Sequence, residues 1–281
     1  LILSDRTIKA AEAVMTRVIT LTTDFGTRDA YVGAMKGVIY SLAPRALVVD
    51  ITHEIQPGNV EGAAFVLESF HTYFPGGTIH LVVVDPGVGS SRRALAVESD
   101  RRIYVGPDNG VFEPVFRSEA GFICYELTDS KFHLETISHT FHGRDIFAPV
   151  AAHLATGARP ESLGPQVHDP VRLVKERRET AGRGYLTARV VHADRFGNLV
   201  TDITARELAA LGAENSALEV SICGVKIEGI SDYYVQAPPG ELLALIGSTG
   251  RLEIAACGRS AAEILGPESV NAALTITKFR G

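Results

Sequence analysis

The 281-residue sequence holds only three cysteines, Cys124, Cys223 and Cys257, far apart and odd in number. That argues against a disulfide framework and against a CxxC metal site, and it suits a reducing cytoplasm. No apolar run approaches the roughly 20 residues that a bilayer-spanning helix needs. Residues 1–17 lack the apolar core and small-residue cleavage site of a signal peptide. A soluble protein with no membrane partner is expected. Positive charge is not in excess: 27 Lys and Arg against 33 Asp and Glu leave a net charge of −6, so no basic surface advertises nucleic acid. Also missing are GxGxxG after a strand, GxxxxGK[ST], HExxH and GxSxG, so the common nucleotide-phosphate and hydrolase devices are absent.

What remains is 46% hydrophobic, enough to fill one large core or two ordinary ones. From Val18 to about Gly157, short apolar runs alternate with helix-period segments, the pattern of an α/β layer fold. VITLTTDFG reads as a strand, followed by a helix with Val32, Met35, Ile39 and Leu42 on its inner stripe, stopped by Pro44. ALVVDI is the next strand. Asn59 then caps a helix whose stripe is Val60, Ala63, Ala64, Leu67, Phe70 and Phe74. TIHLVVVD is the third strand. RALAV and RRIYVG form a hairpin, GFICYEL a strand and DIFAPVAAHLA a helix. Nearly continuous apolar runs separated by helices suit a parallel sheet covered on both faces. Charge and glycine cluster in KERRETAGRG, Lys175 to Gly184, which marks a linker. Beyond it, three stretches each read as two alternating runs around turn residues, the pattern of antiparallel hairpins. The expected fold class is α/β: an N-terminal Rossmann-like layered domain with a mostly parallel sheet, plus a C-terminal antiparallel β-barrel-like domain. The expected segments are an extension or amphipathic arm at 1–17, the α/β domain at 18–175, a linker at 176–184 and the β-rich domain at 185–281.

Three strands end in acids, Asp24, Asp50 and Asp85, and ligands of open α/β sheets bind beyond the carboxyl ends of the strands. DFGTRD puts Asp24 and Asp29 there with a glycine. Carboxylates suit ribose hydroxyls or an ammonium and repel phosphate; alternatively, Asp29 merely complements the helix N-terminus. DPGVGSSRR sets Asp85 and Arg92 across a loop that must turn back on itself. An arginine stays protonated, so it can hold water or an anion but cannot act as a base; a structural ion pair is the plainer alternative. TFHGRD puts His142 just before a helix, where an imidazole could take a proton from water. The other eight histidines have no comparable setting and are assigned to core or surface. In the second domain, ADRFGNLVTDI carries Asp194, Phe196 and Asn198. Phe196 offers a stacking face and Asn198 both a donor and an acceptor, although an FGN turn with Phe196 in the core explains them as well.

DFGTRD, IQPGNVEGAA, VVVDPGVGSSRRAL, YVGPDNGVF, TFHGRDIFAPVAAHLA, DRFGNLVTDI and GSTGRLEIA occur in this order from about Val18 to the C-terminus. Together they resemble the S-adenosyl-L-methionine (SAM) hydroxide adenosyltransferases, or SAM hydrolases, relatives of the SAM-dependent fluorinase and chlorinase. The resemblance implies a homotrimer with sites between the N-terminal domain of one subunit and the C-terminal domain of its neighbour. It implies the reaction of SAM with water to give adenosine and L-methionine, with SAM as substrate, no cofactor and no metal. An Asp-Arg-His triad maps onto Asp85, Arg92 and His142, with the choice of base between Asp85 and His142 left open. Asp24 maps onto the ribose-binding position, Asp29, Asp194 and Ser248 onto the methionine end, and Phe196, Asn198 and Tyr233 onto contacts with the adenosine. Two departures stand out. ACGR (Ala256 to Arg259) replaces an expected Asn-Gly-Gly-like turn, and Asp194 lies two residues before Phe196, where the halogenases have a longer spacing.

Three other readings compete. A halogenase on the same scaffold would carry Tyr and Ser in place of His142 and Gly143. A non-catalytic adenosine or SAM sensor would keep the triad as a mere polar network. A metal-dependent hydrolase would lose activity with a chelator.

Overall fold

The structure, a computed structural model, describes residues 17–118, 120–173, 184–212 and 214–278. The expected extension at 1–17 lies outside the described residues except for Arg17, and the expected linker at 176–184 except for Gly184. The chain divides into two compact units, residues 1–173 and 174–281.

The first unit is built on a seven-stranded sheet with strand order β2-β1-β3-β5-β4-β6-β7. Its strands are β1 (Val18–Thr23), β2 (Leu47–Thr52), β3 (Ile79–Val83), β4 (Ala94–Ser99), β5 (Arg102–Pro107), β6 (Ile123–Glu126) and β7 (Gln166–Val167). The half made of β2, β1, β3 and β5 is parallel, as the unbroken apolar runs require; β4, β6 and β7 extend it by antiparallel pairing. On one face, α1 (Tyr31–Leu42) and α4 (Ala148–Ala155) bury Met35, Ile39, Val150 and Leu154 against Ile19, Leu21, Ile79 and Leu81. On the other, α2 (Val60–Phe70) and α3 (Glu113–Phe116) bury Ala63, Leu67 and Val115 against Val82, Val84 and Val97. Each such aliphatic side chain contributes about 1.5–3 kcal/mol of burial. Asn59 caps α2 by accepting from the Gly62 N–H at 2.8 Å, as its position predicts. Leu42, expected on the inner stripe of α1, is instead exposed on the last turn beside Ala43, which takes the buried place.

The second unit is an all-antiparallel seven-stranded sheet, order β11-β10-β14-β8-β9-β13-β12. Its hairpins are β8 (Tyr185–Ala193) with β9 (Leu199–Thr204), β10 (Leu218–Ile222) with β11 (Val225–Glu228), and β12 (Leu242–Ile246) with β13 (Arg251–Ala256); β14 (Ala273–Lys278) joins β10 to β8. An isolated bridge from Ser231 to Leu245 adds a contact near the two sheet ends, and the whole is nearly closed. Two short helices, α5 (Ala205–Ala209) and α6 (Ala261–Leu265), complete the unit, and Leu186, Val190, Leu199, Val220, Ile254 and Ile276 fill its interior. The expected fold class therefore holds. Among the described residues, no helix is long and apolar enough to cross a membrane.

Candidate active site

The site in the first unit is made by loops that leave the carboxyl ends of β1 and β3. After β3 the chain runs through Val84 to Asp85, turns through Gly87 and Gly89, and returns with Arg92. The Arg92 Nε donates to both Asp85 oxygens, at 3.0 Å to Oδ1 and 2.9 Å to Oδ2, and Nη2 also donates to Oδ2. Both side chains are largely shielded, with exposures of 11% for Arg92 and 5% for Asp85. An ion pair this buried is not a surface ornament: removing either member strands a charge in a poorly solvated place. Arg93, its neighbour in sequence, turns the other way and ties Asp108 and Asp169 at 2.8 and 2.7 Å. One cation of the pair serves the crevice and the other braces the loop.

His142 stands just before the helix α4. The segment before it folds around Asp145, a fully buried carboxylate that accepts from the Ser138 N–H and hydroxyl, both at 2.8 Å, and from Arg144 Nε at 2.6 Å. Burial works to raise the Asp145 pKa, but those donors outweigh it and hold the carboxyl below its usual range. A π-helical turn over Gly143–Phe147 then leads into α4, so the helix expected from Asp145 starts earlier and wider than the sequence period suggests. Gly143 is closely surrounded: a Cβ there would sit 3.3 Å from each of the Met35, Phe141 and Phe25 side chains, which would have to give by a few tenths of an ångström. The outcome is that Arg92 Nη2 stands 2.8 Å from His142 Nδ1, and the Arg92 guanidinium lies 5.1 Å from the centre of the Phe147 ring. Burial, reinforced by the Arg92 charge and opposed by Asp85 and Asp145, pushes the His142 pKa below its usual value, so the ring is neutral near pH 7. The sequence-predicted triad is brought together.

Asp24 occupies the turn after β1, where Gly26 takes the left-handed φ of 67°. Its Oδ2 accepts from the Gly58 N–H at 2.8 Å. Burial holds its carboxyl above the usual range, opposed by that N–H and assisted by the charge of Asp85. Asp24 and Asp85 therefore share one electrostatic neighbourhood. Asp50, the third strand-end acid, is engaged by Lys36 and His53 instead. Asp29 is exposed just before α1 and makes no capping bond to it; the N-cap position is held by Ala30.

In the second unit, Asp194 closes the turn between β8 and β9. It accepts from the Phe196 and Asn198 N–H groups at 2.8 Å each, and from the Asn198 side-chain amide at 2.9 Å. Asn198 is buried by this turn, whereas Phe196 is 79% exposed. The alternative that placed Phe196 in the core is thus corrected; within the turn it is Gly197, with φ of 82°, that packs closely, against Ser260. Tyr233 and Ser248 are also exposed, Tyr233 at 57%. The unit thus exposes Phe196 on a turn that the Asp194 carboxylate organises, and Tyr233 and Ser248 elsewhere in the chain.

The sequence matches the model of the SAM hydroxide adenosyltransferase N-terminal domain over residues 19–164 and that of the C-terminal domain over residues 188–271. The chain belongs to the SAM hydroxide adenosyltransferase family. A Salinispora tropica protein named (R)-S-adenosyl-L-methionine hydrolase is 40% identical over 260 residues, spanning 88% of this chain and 93% of its own. A fluorinase of an Actinoplanes species is 28% identical over 291 residues, spanning 92% and 96%. A crystal structure of an uncharacterized conserved protein from Thermotoga maritima superposes with a TM-score of 0.85 at 34% identity, covering 92% of this chain and 100% of that one.

Several groups beside the candidate residues escaped the sequence reading. An aromatic trio of Phe25, Tyr31 and Phe141, with ring centres 5.2 to 5.8 Å apart, joins the Asp24 turn to the residue before His142. Its members flank the polar residues in sequence, which was the available signal. Glu253 on β13 is buried against Gly247 and accepts from the Tyr234 hydroxyl at 3.3 Å; burial raises its pKa. It hid inside GRLEIA, an apparently ordinary strand. Among the described residues, no group of three or more His, Cys, Asp or Glu side chains is arranged to hold a metal ion.

Proposed function

We propose that this protein hydrolyses SAM to adenosine and L-methionine, and that Asp85, Arg92 and His142 prepare the attacking water. The observation that carries this reading is the contact of Arg92 with both partners, Asp85 through Nε and Nη2 and His142 Nδ1 through Nη2. It is supported by the name of the Salinispora tropica relative, which spans nearly the whole chain.

The carbon to be attacked, C5′ of the ribose, is already bonded to a positively charged sulfur. The enzyme therefore needs alignment and a nucleophile partly relieved of its proton. As the water oxygen bonds to C5′, the C5′–S bond breaks and its electron pair neutralises the sulfonium, releasing methionine as a thioether. One proton is lost. Arginine has no acceptor, so in the Arg92–His142 contact the neutral imidazole must accept at Nδ1 and carry its own proton on Nε2. In that tautomer His142 offers the water a donor. Asp85 is then the group left to take the proton, its carboxylate retaining lone pairs beyond those turned to Arg92. Arg92 favours negative charge on the oxygen throughout.

Asp24 is assigned the ribose hydroxyls, and Asp29 the methionine end. Asp194 and Ser248 are assigned the same amino-acid end, and Phe196, Asn198 and Tyr233 the adenosine, contributed by the second unit of a neighbouring copy in a homotrimer. The exposure of Phe196 and Tyr233 in the single chain supports this arrangement. So do the two domain matches for a domain division near the charged linker. Three free cysteines, one of them with its thiol pushed up to about 12 by burial, agree with work in the cytoplasm. The R form of SAM named for the relative is the form proposed here.

The test is incubation of the purified protein with separated R and S forms of SAM, with and without chelator, followed by chromatography of the products. Adenosine and methionine from the R form, unaffected by chelator and lost in Arg92→Ala, is the expected result. A halogenated nucleoside in the presence of halide would instead favour the halogenase reading. Binding without turnover would favour the sensor.

A further inference from the structure

His53 sits just after β2, is only 5% exposed, and belongs to no part of the mechanism above. Its ring joins a chain of polar side chains that crosses three elements. Lys36 on α1 reaches Asp50 Oδ2 at 2.5 Å, Asp50 Oδ1 lies 3.1 Å from His53 Nε2, and His53 Nδ1 is 2.9 Å from the Thr23 hydroxyl at the end of β1. The Asp50 contact is at ion-pair distance without hydrogen-bond geometry, so the Thr23 hydroxyl is the hydrogen-bond partner of the ring. The Thr23 oxygen also accepts from the Phe25 N–H, 3.3 Å away. The backbone of His53 adds a second tie, its carbonyl accepting from the Gly26 N–H at 2.7 Å.

Asp24 lies between the tied residues. One side of its turn is held by Thr23 and Phe25 through the ring, the other by Gly26 through the His53 carbonyl. An apolar residue would fill the buried volume at lower desolvation cost, so packing alone does not account for a histidine whose Nδ1 is bonded to a strand-end hydroxyl. We infer that His53 is a positioning residue for Asp24: through Thr23 it fixes the turn that aims the Asp24 carboxylate at the ribose hydroxyls. This rests on the assignment of Asp24 to the ribose.

The inference separates the two arms of the ring. Asparagine places its amide near the Nδ1 position and can still bond to Thr23 as donor or acceptor, whereas glutamine reaches the Nε2 position and cannot. Thr23→Val keeps the branched shape in the strand and removes only the hydroxyl. Calorimetric binding of adenosine and of 2′-deoxyadenosine to the full chain then reads the aim of Asp24 directly, with thermal unfolding recorded for each variant. Wild type is expected to prefer adenosine by about tenfold or more, the worth of a charged hydrogen bond, and Asp24→Asn to lose that preference. His53→Gln and Thr23→Val are expected to lose most of it, His53→Asn to keep it, and His53→Gln to remove nothing further from Asp24→Asn. A preference unchanged in folded His53→Gln and Thr23→Val, with Asp24→Asn defective, would overturn the role of His53 alone. No preference in wild type, or none lost in Asp24→Asn, would overturn the ribose assignment and this inference with it.

Discussion

Replacing Gly89 with alanine tests how closely the two loops of the triad must approach. Gly89 lies midway between Asp85 and Arg92 with φ of 77°. A Cβ there would fall inside 3.0 Å of the His139 carbonyl oxygen, with the carbonyl carbon at 3.2 Å and His139 Cβ at 3.4 Å. The obstruction is mostly backbone, so it cannot swing aside. Restoring an ordinary carbon–oxygen contact separates the loop of Arg92 from the segment of His142 by roughly 1 Å. The Arg92–His142 contact, now 2.8 Å, would then exceed the roughly 3.2 Å reach of a hydrogen bond. A displacement of that size costs about 100-fold in rate, or about 2.7 kcal/mol of barrier. The left-handed backbone adds roughly 1–2 kcal/mol of lost stability. Gly121 separates the two effects: its φ is 71° and a Cβ there meets nothing within 4 Å. In assays of adenosine formation with parallel melting curves, Gly121→Ala should lose stability and keep kcat, and Gly89→Ala should lose both. A kcat for Gly89→Ala within about threefold of wild type would refute the claim that this contact sets the alignment.

Two pH responses follow from one half-buried and one buried histidine. Because burial and Arg92 depress the pKa of His142, the ring becomes charged only below the ordinary histidine range, and a proton on Nδ1 would face the guanidinium. The profile of kcat/KM should therefore be flat on the acid side down to about 6.5 and fall below it, with the limb moved upward in any residual activity of Arg92→Ala; a limb at or above that value in wild type would contradict the assigned surroundings. His80, stacked on Tyr104 and bonded to Thr20 at 2.9 Å, has its pKa pushed down to about 3 by burial. The folded state then resists a proton that the unfolded chain accepts below 6.5, so this contribution to stability is complete above 6.5 and lost progressively as pH falls toward 3. Denaturation at pH 7.5 and pH 5 should differ by about 2 kcal/mol on this account, and His80→Asn, which keeps a partner for Thr20, should shrink the difference by that amount; an unchanged difference would show that His80 is not its source.

The apolar runs and their spacing determined much of this protein. Continuous runs between helices require a parallel sheet with both faces covered, Asn59 starts its helix by the capping bond expected of it, and alternation with turn residues yields the hairpins of the second unit. These are local rules, legible one segment at a time. Arg92 was singled out by the family resemblance, whereas the different partners of Arg92 and Arg93 are set by tertiary contacts, Asp85 for the one and Asp108 with Asp169 for the other. The close approach of Gly197 to Ser260, far away in sequence, is likewise a tertiary contact that no local rule supplies. The junction of Arg92 with His142 spans fifty residues and depends on Gly89 meeting His139 and on Asp145 folding its own loop. No period or motif encodes a distance of that kind, because it is set by packing between segments that the sequence keeps apart.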